Sequence, residues 1–163
     1  MIDKKADVTN YSDLYKVVRF VCSDHAAIES FSAGVYPDFN DTEHVYPSIF
    51  FETGQLYTSG AETRTYTIAL HLFDMVNEKH SAEDIIETQT KLDNILHEVL
   101  QELRCYKSLQ NVAKEIDILP TSEAENDLLV GLRAEFTITI GQTIKRGDKP
   151  FRSQLNLVLP TTV

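Results

Sequence analysis

Residues 46–73, YPSIFFETGQLYTSGAETRTYTIALHLF, constrain the fold more than any other stretch of the chain. Tyr66, Ile68, Leu70 and Leu72 alternate with Thr65, Thr67, Ala69, His71 and Phe73. That is the period of two of a β-strand with one well-buried face. Upstream, Ile49, Phe50 and Phe51 predict a second strand with bulky residues on both faces, and Pro47 favours an extended residue before it. Between the two, ETGQLYTSGAE is rich in turn formers, with permissive backbone at Gly54 and Gly60. The segment reads as two strands joined by a polar turn, and it carries no catalytic-looking set of residues.

Helices flank this hairpin. In NYSDLYKVVRFVCSD, Leu14, Val17, Val18 and Val21 recur at the spacing of an amphipathic helix, with Ser12 as the expected N-cap and Asp13 in the first turn. The strongest helical signal is SAEDIIETQTKLDNILHEVLQELRCY. Ile85, Leu92, Ile95, Leu96, Val99, Leu100 and Leu103 line one face, Ser81 with Asp84 or Glu83 caps the start, and Arg104 and Lys107 suit the end. About 24 residues at 1.5 Å each reach roughly 36 Å, enough to lie across a small sheet. The apolar face runs slightly wider than a coiled-coil seam, which suits covering a sheet.

Further strands follow. NVAKEIDILP reads as a strand with Val112, Ile116 and Ile118 apolar and Pro120 ending it. LLVGLRAEFTITIG is clearer, with Leu132, Ala134, Phe136, Ile138 and Ile140 on one face and Arg133, Glu135, Thr137 and Thr139 on the other. Residues around Phe31 to Tyr36 predict a short extended piece before an exposed loop, and Leu155, Leu157 and Leu159 alternate near the C-terminus. Strands thus come in runs separated by one long helix. This order favours an α+β fold: an antiparallel or mixed sheet of about four to six strands, covered by the N-terminal helix and the long central helix. A single domain is expected over 1–144, with 145–163 as a C-terminal arm or an edge strand.

The 163 residues carry a formal charge of −10. Such a field repels DNA and anionic membranes, although solubility alone also accounts for it. The charge is uneven. No Lys or Arg lies between Arg19 and Arg64, an interval that holds Asp24, Glu29, Asp38, Asp41, Glu43, Glu52 and Glu62. By contrast, IKRGDKPFR sets Lys145, Arg146, Lys149 and Arg152 against Asp148 alone. A basic segment on an acidic body either docks on an acidic neighbour or is a solvated tail. No run approaches the ~20 apolar residues of a membrane span, and the N-terminus lacks the apolar stretch of a secretory signal.

Residue types that could carry chemistry are scattered. His25, His44, His71, His80 and His97 show no zinc-hydrolase spacing, and His71 and His97 read as surface or packing residues. Cys22 and Cys105 are far apart without a CxxC pair, and both read as buried reduced thiols. No glycine pattern forms a phosphate loop, and neither NDTE nor SEAEND has the spacing of a calcium loop. No catalytic residue, metal or cofactor is therefore expected.

YPSIFFE…YTIALHLFD, then a capped long helix, then EAENDLLVGLRAEFTITI, resembles the tail-terminator or tail-completion (neck ring) proteins of tailed bacteriophages over roughly residues 11–141. The resemblance implies a virion protein assembled in the bacterial cytoplasm as a ring, a hexamer or dodecamer, at the head–tail neck or the tail end. It implies portal-adaptor, neck or tail proteins as partners, and a central channel through which genome DNA passes without specific binding. It carries over no active-site residue.

The parts matching neighbour contacts in such rings are the turn, with Gly54, Tyr57 and Arg64, and the arm, with Lys145, Arg146, Lys149, Phe151, Arg152, Leu155 and Leu157. Asp38, Asp41, Glu43 and Glu52 are candidates for an acidic channel lining. The basic-then-apolar tail at 145–163 departs from the family pattern. Two other classes stand beside this reading: a small enzyme with a dispersed site using Cys22 or His71, and a monomeric ligand-binding α+β domain.

Overall fold

A computed structural model describes residues 7–35, 45–54, 57–76, 81–122 and 129–141. In chain order the elements are α1 (Tyr11–Asp24), β1 (Ser30–Gly34), β2 (Ser48–Glu52), β3 (Tyr57–Ser59), β4 (Thr63–Met75), α2 (Ala82–Arg104), β5 (Leu109–Val112), β6 (Asp117–Ser122) and β7 (Leu129–Gly141). The arm at 145–163 and the residues Asp38, Asp41 and Glu43 lie outside the described residues.

The fold is α+β with a mixed sheet. Strand order is β1–β2–β4–β7–β5, with β3 also on β4 and β6 also on β7. Only β1 and β2 run parallel among the described pairs. Among the described residues the sheet holds seven strands, against the four to six expected. The excess arises because strands share the flanks of two long neighbours. β2 pairs with residues 69–73 of β4 and β3 with residues 64–66. In the same way β6 takes residues 130–135 of β7 and β5 takes 138–140.

The stretch read as one strand ending at Pro120 is therefore two. β5 stops at Val112, β6 starts at Asp117, and Pro120 sits inside β6 opposite Leu132. A proline is tolerated there because β6 pairs only with β7 among the described strands, and an edge strand does not need every N–H in a ladder.

One face of the sheet meets the helices. Ile49 and Phe51 from β2, Ile68, Leu70 and Leu72 from β4, and the five alternate residues of β7 from Leu132 to Ile140 pack there with Leu14, Val18, Cys22, Leu96 and Leu100. α2 lies on β7, β4 and β5, and α1 packs against α2 and β1. This layer is where the hydrophobic effect holds the domain together, at roughly 25 cal/mol per Å² of apolar surface removed from water.

The helix starts are locally specified. At α2, Ser81 Oγ accepts the Asp84 N–H while the Asp84 carboxylate accepts the Ser81 N–H, at 3.2 and 2.7 Å. At α1 the cap is Asn10 rather than Ser12: Asn10 Oδ1 accepts the Asp13 N–H at 3.0 Å. Asn10 has the extended backbone a cap requires, whereas Ser12 is already inside the helix and exposed.

Alternation predicts one well-buried face for β4, but along its second half both faces are buried. From Ile68 to Asp74 every residue of β4 is buried. Phe50, Phe73 and Leu129 form a second buried cluster, with Tyr46 packed against it. His71 is buried with them at 1% exposure, so of the two readings, surface or packing, it is a packing residue.

Candidate functional site

The predicted contact residues that are described fall on two different parts of the sheet. β4 and β7 are both 13 residues long and run past the end of β2 as a ribbon, flanked there by β3. Gly54, at φ +86°, lies just after β2, and this left-handed backbone suits glycine, with nothing crowding the site of a Cβ. β3 is exposed along its whole length.

Tyr57, 61% exposed, lies opposite Tyr66 with ring centroids 5.5 Å apart. Tyr66 in turn meets Tyr11 of α1 at 5.2 Å. Burial, with a further contribution from the neighbouring Tyr66 phenol, raises the Tyr11 pKa above its usual value. Arg64, half-buried, pairs with Ser59 of β3 and Ile140 of β7. Strand alternation puts Arg64 on the same face as Tyr66, so Tyr57 and Arg64 share one face of the β3–β4 pair. On the other face a threonine pair closes the β4–β7 seam, Thr65 Oγ1 to Thr139 Oγ1 at 2.8 Å.

Glu52 is elsewhere, on the far face at the end of β2. Its carboxylate Oε2 lies 2.9 Å from His71 Nε2 and 3.5 Å from Arg133 Nε, and Arg133 Nη2 reaches Glu135 at 2.7 Å. The imidazole is held between rings, stacked on Phe73 at 6.1 Å and edge-on to Phe50 at 5.9 Å. Glu52 is therefore tied into a network spanning β2, β4 and β7, and is not a free surface acid. A carboxylate-oriented imidazole is the kind of pair that serves as a general base. Here the His71 side chain is 2% exposed, and the two side chains satisfy each other's polar atoms beside the buried Phe50 and Phe73.

Sequence reading missed this network. Alternation does put His71 and Phe73 on one side of β4, and Arg133 and Glu135 on one side of β7. What brings them together is register, His71 opposite both Phe50 and Arg133, and register is not legible before the strands are paired.

The cysteines differ from expectation and from each other. Cys22 is fully buried, and burial pushes its pKa up to about 12, so it is a protonated thiol at neutral pH. Cys105 is exposed where α2 ends, with its Sγ–H directed to the Gln101 carbonyl at 3.4 Å. The reading of both as buried holds only for Cys22. Among the described residues no group of three or more His, Cys, Asp or Glu is placed to hold a metal ion, and no helix is long and apolar enough to cross a membrane.

The sequence matches no protein-family model, and no curated protein matches it.

Proposed function

We propose that the chain is a structural subunit of a ring at the head–tail neck or tail end of a tailed phage, joining connector to tail around the DNA channel. The observation that carries this reading is the β3–β4–β7 ribbon. It continues the sheet beyond β2, its outer strand β3 is exposed throughout, and it presents Tyr57 in the open. Tyrosine joins apolar area to a polar tip, which suits a protein–protein contact. The resemblance in element order and in the hairpin and GLRAEF segments supports the same reading, with virion neck, tail or portal-adaptor proteins as neighbours.

In a closed ring each contact is heterologous, so one surface of a subunit meets a different surface of the next. The ribbon supplies one of the two. Asp38, Asp41 and Glu43 are proposed to line the channel, where negative charge limits sticking of DNA phosphates. Glu52, engaged by Arg133, adds little free charge to such a lining. The enzyme alternative draws on Cys22 or His71, and both are buried.

The test is the mass of the purified protein by light scattering, with negative-stain images of the same sample. Closed rings of six or twelve copies are expected, free or on a tail or connector complex. A monomer that also fails to bind such a complex would overturn the reading.

A further inference from the structure

A continuous groove follows α2 on the side where the end of α1 meets it. Its first part, about 350 Å³, is floored by Phe20, Val21 and Val99. Its second part, about 490 Å³, continues past Ile95 toward the start of α2. The two share His25 and Glu98. His25 Nδ1 accepts the Ala27 N–H at 3.2 Å, which leaves Nε2 to donate to Glu98 at 2.8 Å, so the imidazole props the two helices at the middle of the groove.

The rim is acidic. Asp24, Glu87, Glu98 and Glu102 border the groove. The one lysine on the rim, Lys91, already has its ammonium 2.7 Å from Asp74. From Glu87 to Glu102 the helix rises about 22 Å, the length of about seven extended residues. An apolar floor under a carboxylate rim calls for an extended, basic segment with an apolar side chain. The chain holds one stretch of that composition, KRGDKPFR, residues 145–152, with four basic residues, one acid and Phe151.

Resting on the ring reading, we infer that residues 145–152 of a neighbouring copy lie along this groove, with their cations on the carboxylate rim and Phe151 on the apolar floor. Groove and segment are different surfaces, so the contact is heterologous and propagates around a ring. It also sets the main cluster of positive charge of one subunit against the negative body of the next. Between copies carrying −10 each, such a match offsets the like-charge repulsion.

The test uses the full chain. Unlabelled and ¹⁵N-labelled protein are mixed, allowed to assemble and treated with a carbodiimide, which condenses a lysine amine with a carboxylate to an amide with loss of water. Peptide mass spectrometry then reads the joined residues, and light scattering reads the mass of the same sample. Expected are links from Lys145 or Lys149 to Asp24, Glu87, Glu98 or Glu102, about half of them between labelled and unlabelled chains. Links confined within one chain, or links to other acids only, would overturn the inference. Were rings still present, the ring reading would survive that failure. Glu87→Lys with Glu98→Lys should abolish these links and lower the assembled fraction at least tenfold. Lys149→Glu with Arg152→Glu in the same chain should restore assembly, and no restoration would count against the pairing.

Discussion

Phe73 occupies the space that a side chain at Gly131 would need. The two are cross-strand partners in β4 and β7, and a Cβ on Gly131 would come within 2.7 Å of the Phe73 ring, 2.5 Å of Thr121 Oγ1 and 2.9 Å of the Leu72 carbonyl. One of these neighbours is backbone and another is a ring buried to 1% exposure, so neither yields easily. Gly131→Ala should therefore destabilise the domain by about 1–3 kcal/mol, the usual cost of overpacking, although alanine is the better residue for an ordinary strand. Urea unfolding followed by circular dichroism measures this. An unchanged midpoint would mean that Phe73 is not fixed over Gly131.

The start of α1 distinguishes two residues that look alike in the sequence. Asn10→Ala removes the side-chain acceptor of the Asp13 N–H and should cost about 1 kcal/mol. Ser12→Ala changes an exposed position within the helix and should stay within a few tenths of a kcal/mol, in either direction. Thermal or urea unfolding of the two variants side by side is the measurement. Equal losses would return the cap to Ser12.

How far the fold could be read in advance depended on which face a residue occupies. The helix-facing residues were legible because burial on one side imposes a period: 3.6 through Leu92, Ile95, Leu96, Val99 and Leu103, and two through Leu132, Ala134, Phe136, Ile138 and Ile140. The far face was not. Thr65 and Thr67 are polar there, while Ala69 and Phe73 mark the second half of β4 as apolar, and alternation alone does not say whether His71 is covered. The divided strands were hidden for another reason. Ala113 to Ile116 lacks glycine and proline, so nothing local separates β5 from β6, and only their sharing of β7 does. Tyr57 and Arg64 were singled out by the resemblance, and the fold sets them on one face of the β3–β4 pair. The groove along α2 had no sequence signal, because it forms between the end of α1 and a helix almost sixty residues later.

The Glu52–His71 pair should show coupling beyond simple loss of contact. Removing the carboxylate in Glu52→Ala leaves a buried imidazole N–H without its acceptor, and should cost about 1–3 kcal/mol. Replacing His71 by Phe keeps a ring among Phe50 and Phe73 and removes the donor. With that change in place, Glu52→Ala should cost less, with a coupling of about 0.5–3 kcal/mol in a double-mutant cycle from urea unfolding. Strict additivity would show that the pair contributes no mutual stabilisation.

Cys22 makes stability sensitive to alkaline pH. Its thiol is fully buried and burial pushes its pKa up to about 12, from an ordinary value of 9.0 in the unfolded chain. Below pH 9 both states are protonated and the group adds no pH dependence. Above it the unfolded chain loses the proton while the folded chain keeps it, so the unfolded state binds fewer protons and stability falls as pH rises. The slope contributed by this one group approaches about 1.4 kcal/mol per pH unit, until the folded thiol itself ionises. Cys22→Ala removes the slope and leaves a small cavity one turn from Val18. The variant should be the less stable protein at pH 7, and the gap between it and the wild type should narrow steadily from pH 9 to pH 11. Urea midpoints of both proteins across that range measure it. Parallel curves would show that the Cys22 thiol is open to hydroxide and not sealed under α1.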